Sequence, residues 1–418
     1  MEVTEMVSRQ RIAFVTTGAF PVPAVRGGAA EALVEELLKE NEVEQKAEFT
    51  VISISDEEAA ETGKENYPHT SFAFIQPALF WIGFDKVVHF FAYQVFHSSR
   101  HLAYKTMFQR LNYIYKVSVY LHEQKFDKVV YENQMALLWT LKYKNNSELY
   151  QNKYYFHLHN HPARYAGNEK LAAGSDRILA VSSFIGHAFA KHIGIDYTED
   201  KFYVLRNVVD EKLFDPDTVS EDSVSKIREK LNLQNKQVIL FLGRLIPGKG
   251  VAELLKAYQQ MKTENTILLI VGSFNFNNAE HSPYEKVLQD LIQKIGTDQV
   301  RFTGYVDHDQ VPVYYQLADL VILPSTCDDA APLAVIETMM MHRPLITTTA
   351  GGIPEYADPS CAVLLENNEH LIQEITRTAD ELLNDPERRK AMSENAAEVT
   401  KDWTLKRFYE DFLRGVDA

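Results

Sequence analysis

Two acidic residues with seven others between them mark the stretch of this chain that is best suited to chemistry. Asp329 and Glu337 lie in PSTCDDAAPLAVIETMMMHRPLITTTAGGIP, residues 324–354. The apolar run before this stretch predicts a buried parallel strand, and Leu333 opens a predicted helix. Nucleotides bind where such a strand ends and a helix begins. Carboxylates at that junction would accept hydrogen bonds from ribose and sugar hydroxyls rather than hold phosphate.

A second loop supplies the groups that a diphosphate needs. GRLIPGKG, residues 243–250, follows a predicted strand and places Arg244 and Lys249 beside a turn rich in glycine and proline. Glycine lets backbone N–H groups approach a phosphate, and arginine and lysine supply fixed positive charge. An earlier loop carries Gly27 and Gly28 before a predicted helix. Its spacing is not the G-x-G-x-x-G of a dinucleotide site.

Three histidines alternate in YYFHLHNHPARY at His157, His159 and His161. Alternate positions on a strand share one face, so a metal site is one interpretation. The sequence places no fourth ligand, and we predict no metal and no cofactor. The Asp-x-Asp strings at 215–217 and 307–309 are attributed to chance in an acidic chain.

Composition narrows the class of protein. The chain has 418 residues, enough for two domains, and its net charge of −15 argues against a nucleic-acid partner. Two cysteines, Cys327 and Cys361, form no disulfide framework, which fits a reducing compartment. The N-terminus does not resemble a signal peptide, and no run is long and apolar enough for a transmembrane helix. We therefore expect a cytoplasmic protein.

The elements that must position these residues alternate between strand and helix along the whole chain, which predicts an α/β fold with parallel sheets. The first half contains the candidate strands RIAFVTT, FTVISI, KVVYEN, YYFHLH, RILAVS and KFYVLRN, and the second contains QVILFLGRL, TILLIVGS, VRFTGYV, DLVILPS, RPLITT and CAVLLE. The two halves predict two Rossmann-like domains, 1–207 and 208–395, joined by the polar connector at 207–217.

The acid–seven residues–acid unit, together with the Arg244/Lys249 loop, resembles the family-four retaining glycosyltransferases, which have the GT-B fold of two Rossmann-like domains facing a central cleft. Two features depart from the usual motif: the first acid is Asp329 rather than Glu, and Ala331-Pro332 replaces Phe-Gly. The resemblance covers nearly the whole chain. It implies that a C-terminal helix within 396–418 crosses back to the first domain.

The resemblance also implies roles for individual residues. Asp329 would contact the donor sugar, Glu337 the nucleotide ribose, and Arg244 and Lys249 the diphosphate. His159, followed by Asn160 as in the family, would hydrogen-bond the sugar. Further donor contacts are implied for Gly27, Gly28, Asn207, Tyr305, Val306 and Leu333.

The implied reaction is transfer of a sugar, with retention, from a nucleotide diphosphate sugar to a hydroxyl of a glycan or lipid-linked acceptor. The expected donor is a UDP-sugar, the expected setting is bacterial surface polysaccharide or glycoconjugate synthesis, and no metal is expected to take part. Two alternatives remain: a nucleotide-sugar epimerase, and a coat or scaffold protein that binds a nucleotide sugar without transfer. The sequence does not fix the sugar, the acceptor or the oligomeric state.

Residues 70–118 form an unusual segment, dense in aromatic residues and carrying five basic residues against the single acid Asp85. A basic, aromatic helix pair suits a membrane surface or a lipid-linked acceptor. A buried core with a solvated basic face is the other interpretation. The family resemblance favours peripheral contact at the inner face of the cell membrane.

Overall fold

The computed structural model describes residues 9–91, 106–273 and 283–417. These residues divide into two compact units. The first contains the described residues up to Val181, Ile185–Leu205 and the residues from Phe408 onward. The second contains Ser182–Phe184 and Arg206–Arg407.

The first half of the chain alternates strands and helices as its hydrophobic pattern predicts. Its strands are β1 Gln10–Val15, β2 Ala47–Ile54, β3 Ser71–Ile75, β4 Lys128–Glu132, β5 Tyr154–Leu158, β6 Ile178–Ala180 and β7 Phe202–Val204. Its α-helices are α1 Ala29–Glu44, α2 Glu57–Asn66, α3 Leu79–Phe90, α4 Met107–Gln124, α5 Asn146–Leu149, α6 Glu169–Ala173 and α7 Ser183–Ile193. A 3₁₀ segment spans Met135–Lys142.

The strands of the first unit form a parallel sheet in the order β3-β2-β1-β4-β5-β6-β7 within the described residues. The strand order reverses between β1 and β4, and this is where ligands bind in open α/β sheets. The loops that leave β1 and β4 at their carboxyl ends carry Gly27, Gly28 and the residues after Glu132. The fold therefore brings two sequence-distant segments to one edge of the sheet.

The second half of the chain repeats this plan. Its strands are β8 Gln237–Leu242, β9 Thr266–Val271, β10 Val300–Phe302, β11 Leu320–Leu323, β12 Leu345–Thr348 and β13 Ala362–Leu365. Its helices are α8 Glu221–Lys230, α9 Val251–Gln260, α10 Pro283–Ile295, α11 Val311–Leu317, α12 Leu333–Met340, α13 Leu371–Leu383, α14 Pro386–Thr400 and α15 Leu405–Asp417, with 3₁₀ turns at Pro247–Lys249, His308–Gln310 and Ile353–Glu355.

The described strands of the second unit pair in parallel in the order β10-β9-β8-β11-β12-β13. The strand order of this sheet reverses between β8 and β11, so the loops at 243–250 and 324–332 leave neighbouring strands. Residues 239–241 of β8 and 320–322 of β11 are fully or almost fully buried, because both faces of a parallel sheet are covered by helices. The two predicted loops of the candidate site therefore start from the rigid centre of the sheet.

The last helix packs in the first unit from Phe408 onward. The Phe412 ring stacks on Phe14 of β1 at a centroid distance of 5.3 Å, and the Tyr409 hydroxyl donates to Asn41 Oδ1 at 2.6 Å. Apart from Ser182–Phe184, the chain enters the second unit after Leu205 and returns to the first unit after Arg407. The predicted segment 396–418 holds the end of α14 and all of α15.

Twelve of the strands coincide with the sequence prediction, whereas β3 was missed. The FAFI run was assigned to an aromatic helix pair, and in the structure it pairs in parallel with β2. Aromatic residues suit strands as well as apolar helix faces, so a run of this length does not distinguish the two.

Candidate functional site

The loops after β8 and β11 are packed directly against each other in the second unit. The Thr326 amide donates to the Gly248 carbonyl at 3.0 Å, and the Cys327 thiol lies 3.3 Å from the same oxygen. Gly250 has φ +72°, and a Cβ at this position would overlap the Pro324 carbonyl oxygen. Glycine is therefore required here both by its backbone conformation and by its neighbour.

Lys249 and Asp329 form an ion pair across these two loops. Both side chains are largely buried, with 24% and 20% of their surfaces exposed. The backbone of Asp329 is held by the Gly-Gly turn, since the Gly352 amide donates to the Asp329 carbonyl at 2.7 Å. A Cβ on Gly351, whose φ is +67°, would lie 2.5 Å from that carbonyl oxygen. The turn thus fixes the first acid of the motif.

Arg244 is exposed at the start of the same glycine-rich loop. Its guanidinium makes no hydrogen bond or ion pair within the part of the chain that the structure describes. The Leu245 amide donates to the Ser273 carbonyl at 3.2 Å, which anchors the loop beside β9. No hydrogen bond or ion pair among the described residues joins Arg244 to the Lys249–Asp329 pair. Arg244 is therefore an exposed cation without a partner among the described residues, at the edge of the sheet where open α/β folds bind ligands.

Glu337 lies on α12 and is buried, with 3% of the residue exposed. Its Oε2 accepts from the Tyr315 hydroxyl at 2.8 Å, and its Oε1 lies 3.0 Å from His308 Nε2. Burial and the Glu337 carboxylate raise the pKa of Tyr315 well above its usual range, so this phenol remains a donor. His308 is 60% exposed at its side chain, so a ligand could replace it on Glu337.

Neither partner of Glu337 was assigned from the sequence. His308 lies within the second Asp-x-Asp string, which was attributed to chance, and Tyr315 lies on α11. His308 stands 29 positions before Glu337 and Tyr315 stands 22 before it. Contacts over such separations depend on packing between helices, and a single sequence carries no local signal for them.

The other predicted donor contacts of the second unit lie after β7, after β10 and at the start of α12. The Asn207 backbone N–H donates to the Tyr356 hydroxyl at 2.9 Å, and the buried Asn207 Oδ1 has no hydrogen-bond partner among the described residues. Leu333 begins α12, as predicted, and is half-buried. Tyr305 is 56% exposed after β10, with Val306 half-buried beside it.

In the first unit, the Gly27-Gly28 turn covers a buried carboxylate. Glu31 is 4% exposed and accepts from the Thr17 hydroxyl at 2.6 Å. A Cβ on Gly28, whose φ is +112°, would overlap Glu31 Oε2. Burial raises the pKa of Glu31. Glu31 is not among the residues predicted for the site, yet its carboxylate lies directly against the predicted Gly28.

His159 belongs to a buried cluster with Glu132 and His157. The register pairs Glu132 of β4 with His157 of β5, so that both side chains point the same way. Glu132 Oε2 lies 2.7 Å from His159 Nε2 and 3.0 Å from His157 Nδ1. His161 is exposed and contacts the Tyr165 hydroxyl instead.

The charges in this cluster follow from burial and proximity. Burial alone would raise the pKa of Glu132, but the two imidazoles outweigh it and lower that pKa to about 2. Burial, aided by His157, lowers the pKa of His159 to about 4, against the opposing effect of Glu132. Near neutral pH the cluster thus holds a carboxylate beside a neutral His159 ring. Its three donor atoms lie within 4.8 Å of one another, close enough to hold a metal ion.

We expect the first unit to lose stability as the pH falls. The ordinary pKa of a histidine, which applies to the unfolded chain, is 6.5, whereas the pKa of His159 in the folded protein is about 4. Between these values the unfolded chain binds a proton that the folded chain does not, so the free energy of unfolding decreases as the pH falls. Thermal unfolding measured from neutral to acidic pH should show this decrease. His159→Gln should flatten it between 6.5 and 4, and equal pH slopes in the two proteins would contradict the assignment.

Comparison with known proteins identifies the second unit. Residues 223–399 match the family described as Glycosyl transferases group 1. The second unit is a domain of this family. The family resemblance drawn from Asp329, Glu337 and the Arg244/Lys249 loop is thereby confirmed, whereas the role of each site residue stays a prediction.

Relatives of known name lie at low sequence identity. The lipopolysaccharide 1,2-N-acetylglucosaminetransferase of Salmonella typhimurium is 27% identical over 237 residues, which are 56% of this chain but only 57% of that enzyme. Spore coat protein SA of Bacillus subtilis is 24% identical over 415 residues, which are 96% of this chain and 98% of that protein.

Solved structures confirm the fold. The Anabaena HepE structure in complex with UDP and glucose matches with a TM-score of 0.71 at 20% identity, covering 97% of this chain and 99% of HepE. The predicted GT-B class, with two parallel sheets in two Rossmann-like units, is confirmed. Of the helices in the described part of the chain, none combines the length and the apolar character that crossing a bilayer requires.

Proposed function

We propose that this protein is a glycosyltransferase that moves a sugar from a nucleotide diphosphate sugar to a hydroxyl group. The arrangement of the loops after β8 and β11 carries the proposal. Lys249 and the exposed Arg244 provide two positive charges beside the glycine-rich turn, as a diphosphate requires. Asp329 and Glu337 provide acceptors for sugar and ribose hydroxyls. The family match of the second unit supports this assignment.

In the proposed reaction the acceptor hydroxyl forms a bond to the anomeric carbon as the bond to the diphosphate breaks. Arg244 and Lys249 neutralise the charge that grows on the departing nucleotide. The acceptor proton passes to the departing phosphate on the same face, which retains the configuration. Since these two cations meet the negative charge, we propose that the reaction needs no metal ion.

The remaining roles concern orientation. Glu337 holds the ribose, and Asp329 and His159 hydrogen-bond the donor sugar. The backbone N–H groups at Gly27 and Gly28 contact the donor phosphate or the acceptor. Asn207, whose buried Oδ1 has no hydrogen-bond partner in the described part of the chain, accepts a hydrogen bond from the donor.

The proposed donor is a UDP-sugar, and the proposed acceptor is a glycan or lipid-linked hydroxyl in bacterial surface polysaccharide or glycoconjugate synthesis. UDP occupies the related HepE structure, and the Salmonella relative is named for transfer to lipopolysaccharide. A thermal-shift screen against UDP-, GDP- and ADP-sugars without metal tests the donor, since a ligand that binds the folded state raises the unfolding temperature. A selective UDP-sugar shift is the expected result, and no shift with any nucleotide sugar would contradict the proposal.

One observation favours a second function, in which the protein binds a nucleotide sugar without transfer. Spore coat protein SA aligns over almost the whole chain, whereas the Salmonella transferase aligns over about half of it. Release of UDP from the donor, with and without a mixture of glycan acceptors, separates the two functions. Transfer or slow donor hydrolysis supports the transferase, and tight donor binding with neither supports the coat role. A new sugar nucleotide formed without acceptor would indicate an epimerase.

We also propose that α3 contacts a membrane surface from the cytoplasmic side. Phe80, Val87, Phe90 and Phe91 are 70%, 51%, 56% and 48% exposed. An exposed aromatic face of this kind marks an interaction surface. Bulky aromatic side chains next to basic residues suit the boundary between headgroups and acyl chains. We call these four residues the α3 apolar face.

The charge around the α3 apolar face also suits an anionic surface. Asp85 is fully buried, and its carboxylate accepts from the amides of Phe108 and Gln109 at 2.9 and 3.0 Å. This acid therefore caps α4 and does not offset the exposed Lys86. Two of the five basic residues of the segment, Arg100 and Lys105, lie outside the described residues.

Replacing Phe80 and Phe90 together by serine is expected to weaken binding to vesicles that contain anionic lipid. Each exposed aromatic side chain would lose apolar contact with the bilayer, so we expect a loss of about tenfold or more in vesicle binding. Sedimentation with such vesicles measures the effect. Val287→Ser, which removes an apolar residue of the second unit that is 47% exposed, is the control and should bind as the unaltered chain does. Equal sedimentation of all three proteins would contradict membrane contact.

A further inference from the structure

Two consecutive residues at the end of β4 hold His159 from two directions. Glu132 contacts the ring through Oε2, 2.7 Å from His159 Nε2. Asn133 holds the backbone, because its Oδ1 accepts from the amides of His159 and Asn160 at 3.0 and 3.1 Å. Its Nδ2 also donates to Asn160 Oδ1 at 2.9 Å. Ring and main chain of His159 are therefore fixed by one short segment.

The contact with Glu132 selects the tautomer of His159. A carboxylate only accepts hydrogen bonds, so His159 Nε2 carries the hydrogen that bridges the two groups. The low pKa of His159, about 4, leaves the ring neutral near neutral pH, with one N–H. Nδ1 must then carry the lone pair. It is buried and has no hydrogen-bond partner among the described residues, so it is an acceptor whose hydrogen bond is not made within the described protein.

His157 keeps the carboxylate in place. Its ring packs on that of His159 with centroids 4.0 Å apart, and its Nδ1 lies 3.0 Å from the same Glu132 oxygen. Glu132 is 1% exposed, and its Oε1 has no partner among the described residues. This His157 contact lacks hydrogen-bond geometry, so the packing of the two rings, together with the hydrogen bond to His159, limits rotation of the buried carboxylate. The cluster thus offers one arrangement of the His159 ring and excludes the tautomer with hydrogen on Nδ1.

We infer that Glu132 and Asn133 are positioning residues that present His159 with Nδ1 as the acceptor for a substrate hydroxyl. This inference rests on the proposed function, in which His159 meets the donor sugar. A sugar hydroxyl has a hydrogen to donate, whereas a carbonyl or ether oxygen has none, so the fixed tautomer favours a hydroxylated sugar at this position. Glu132 acts through His159 and does not touch the substrate.

The test uses the full-length protein and Glu132→Gln, which preserves size but removes the charge and supplies an amide donor. That donor would permit the other tautomer of His159. Nitrogen chemical shifts of ¹⁵N-histidine-labelled protein report the tautomer directly. We expect the unaltered protein to show the Nε2–H form of His159 and the variant to gain the Nδ1–H form. An Nδ1–H form, or a doubly protonated ring near neutral pH, in the unaltered protein would overturn the inference even if the variant fails to fold.

Kinetics supply the second readout. Loss of one hydrogen bond to a charged group predicts that Glu132→Gln lowers kcat by about tenfold to a hundredfold. Binding of UDP, whose proposed contacts lie in the second unit, should not change. Glu42→Gln is the matched control, because Glu42 of the same unit holds only the His69 amide and the Thr70 hydroxyl in the described contacts. An unaltered tautomer with unaltered kcat in Glu132→Gln would overturn the inference.

Two further outcomes separate this inference from its alternatives. If the unaltered protein transfers no sugar but shows the Nε2–H tautomer, the proposed function fails and the positioning of the ring stands. If the purified protein carries one zinc ion that Glu132→Gln abolishes, the cluster is a metal site instead and the inference fails. Elemental analysis of both proteins decides this point.

Discussion

Alanine at Gly250 is expected to destabilise the second unit strongly. The added Cβ would overlap the Pro324 carbonyl oxygen, and φ is +72°, so the loop after β8 must move away from the end of β11. A positive φ alone costs an alanine about 1–2 kcal/mol. The backbone overlap should bring the loss in free energy of unfolding to about 3–5 kcal/mol, which is typical of substitutions that severely disrupt local structure. Chemical denaturation followed by circular dichroism measures the loss.

Gly304→Ala is the matched control for this measurement. Gly304 lies in the same unit with φ +74°, and a Cβ there meets nothing within 4 Å. The two variants therefore share the conformational cost and differ in the overlap. Equal losses of stability would show that the contact between Gly250 and Pro324 is not what requires glycine at that position.

The second large effect is expected at Lys249. Removing a charged donor from a diphosphate should weaken UDP binding by about tenfold to a hundredfold. Lys249→Ala also leaves the largely buried Asp329 carboxylate without its ion-pair partner, which adds negative charge at the proposed diphosphate site. Titration calorimetry with UDP measures the affinity. Lys236→Ala, which removes a half-buried lysine of the same unit that contacts Asn265, is the control and should bind UDP normally.

Asp329→Asn separates the effect of Asp329 on Lys249 from its proposed contact with the donor sugar. Asp329 pairs with Lys249 in this structure and would compete with a diphosphate for it, so neutralising Asp329 should leave UDP affinity unchanged or higher. The proposed contact between the carboxylate and the donor sugar would be weakened at the same time, and sugar transfer should fall. A variant with weaker UDP binding and unaltered transfer would reverse the proposed roles of Asp329 and Lys249.

Local pattern was enough to predict most of the fold. Continuous apolar runs bounded by Gly, Pro and Ser indicate buried parallel strands, and their alternation with helical segments leaves few arrangements open. The missed β3 shows where this reasoning fails. Its aromatic run fits a strand and a helix equally well, and pairing with β2 decides between them.

The candidate site also has features that the sequence predicts and others that only the fold reveals. Spacing along the chain placed Asp329 and Glu337 on one loop–helix unit and put Arg244 and Lys249 in a glycine-rich turn. That Lys249 pairs with Asp329 follows from the strand order, which sets β8 beside β11. The adjacency of β8 and β11 cannot be read from residues close together in a single sequence.

By itself the sequence determined the two Rossmann-like halves, the two acids of the motif and the basic loop, because each depends on residues close together in the chain. The tertiary structure decided which residues contact one another. Tyr315 and His308 contact the Glu337 carboxylate, Glu132 contacts the His159 ring, and the Glu31 carboxylate packs against Gly28. The physical reason is that hydrogen bonds and burial depend on distance in space. Strand register and helix packing set those distances between residues far apart in sequence.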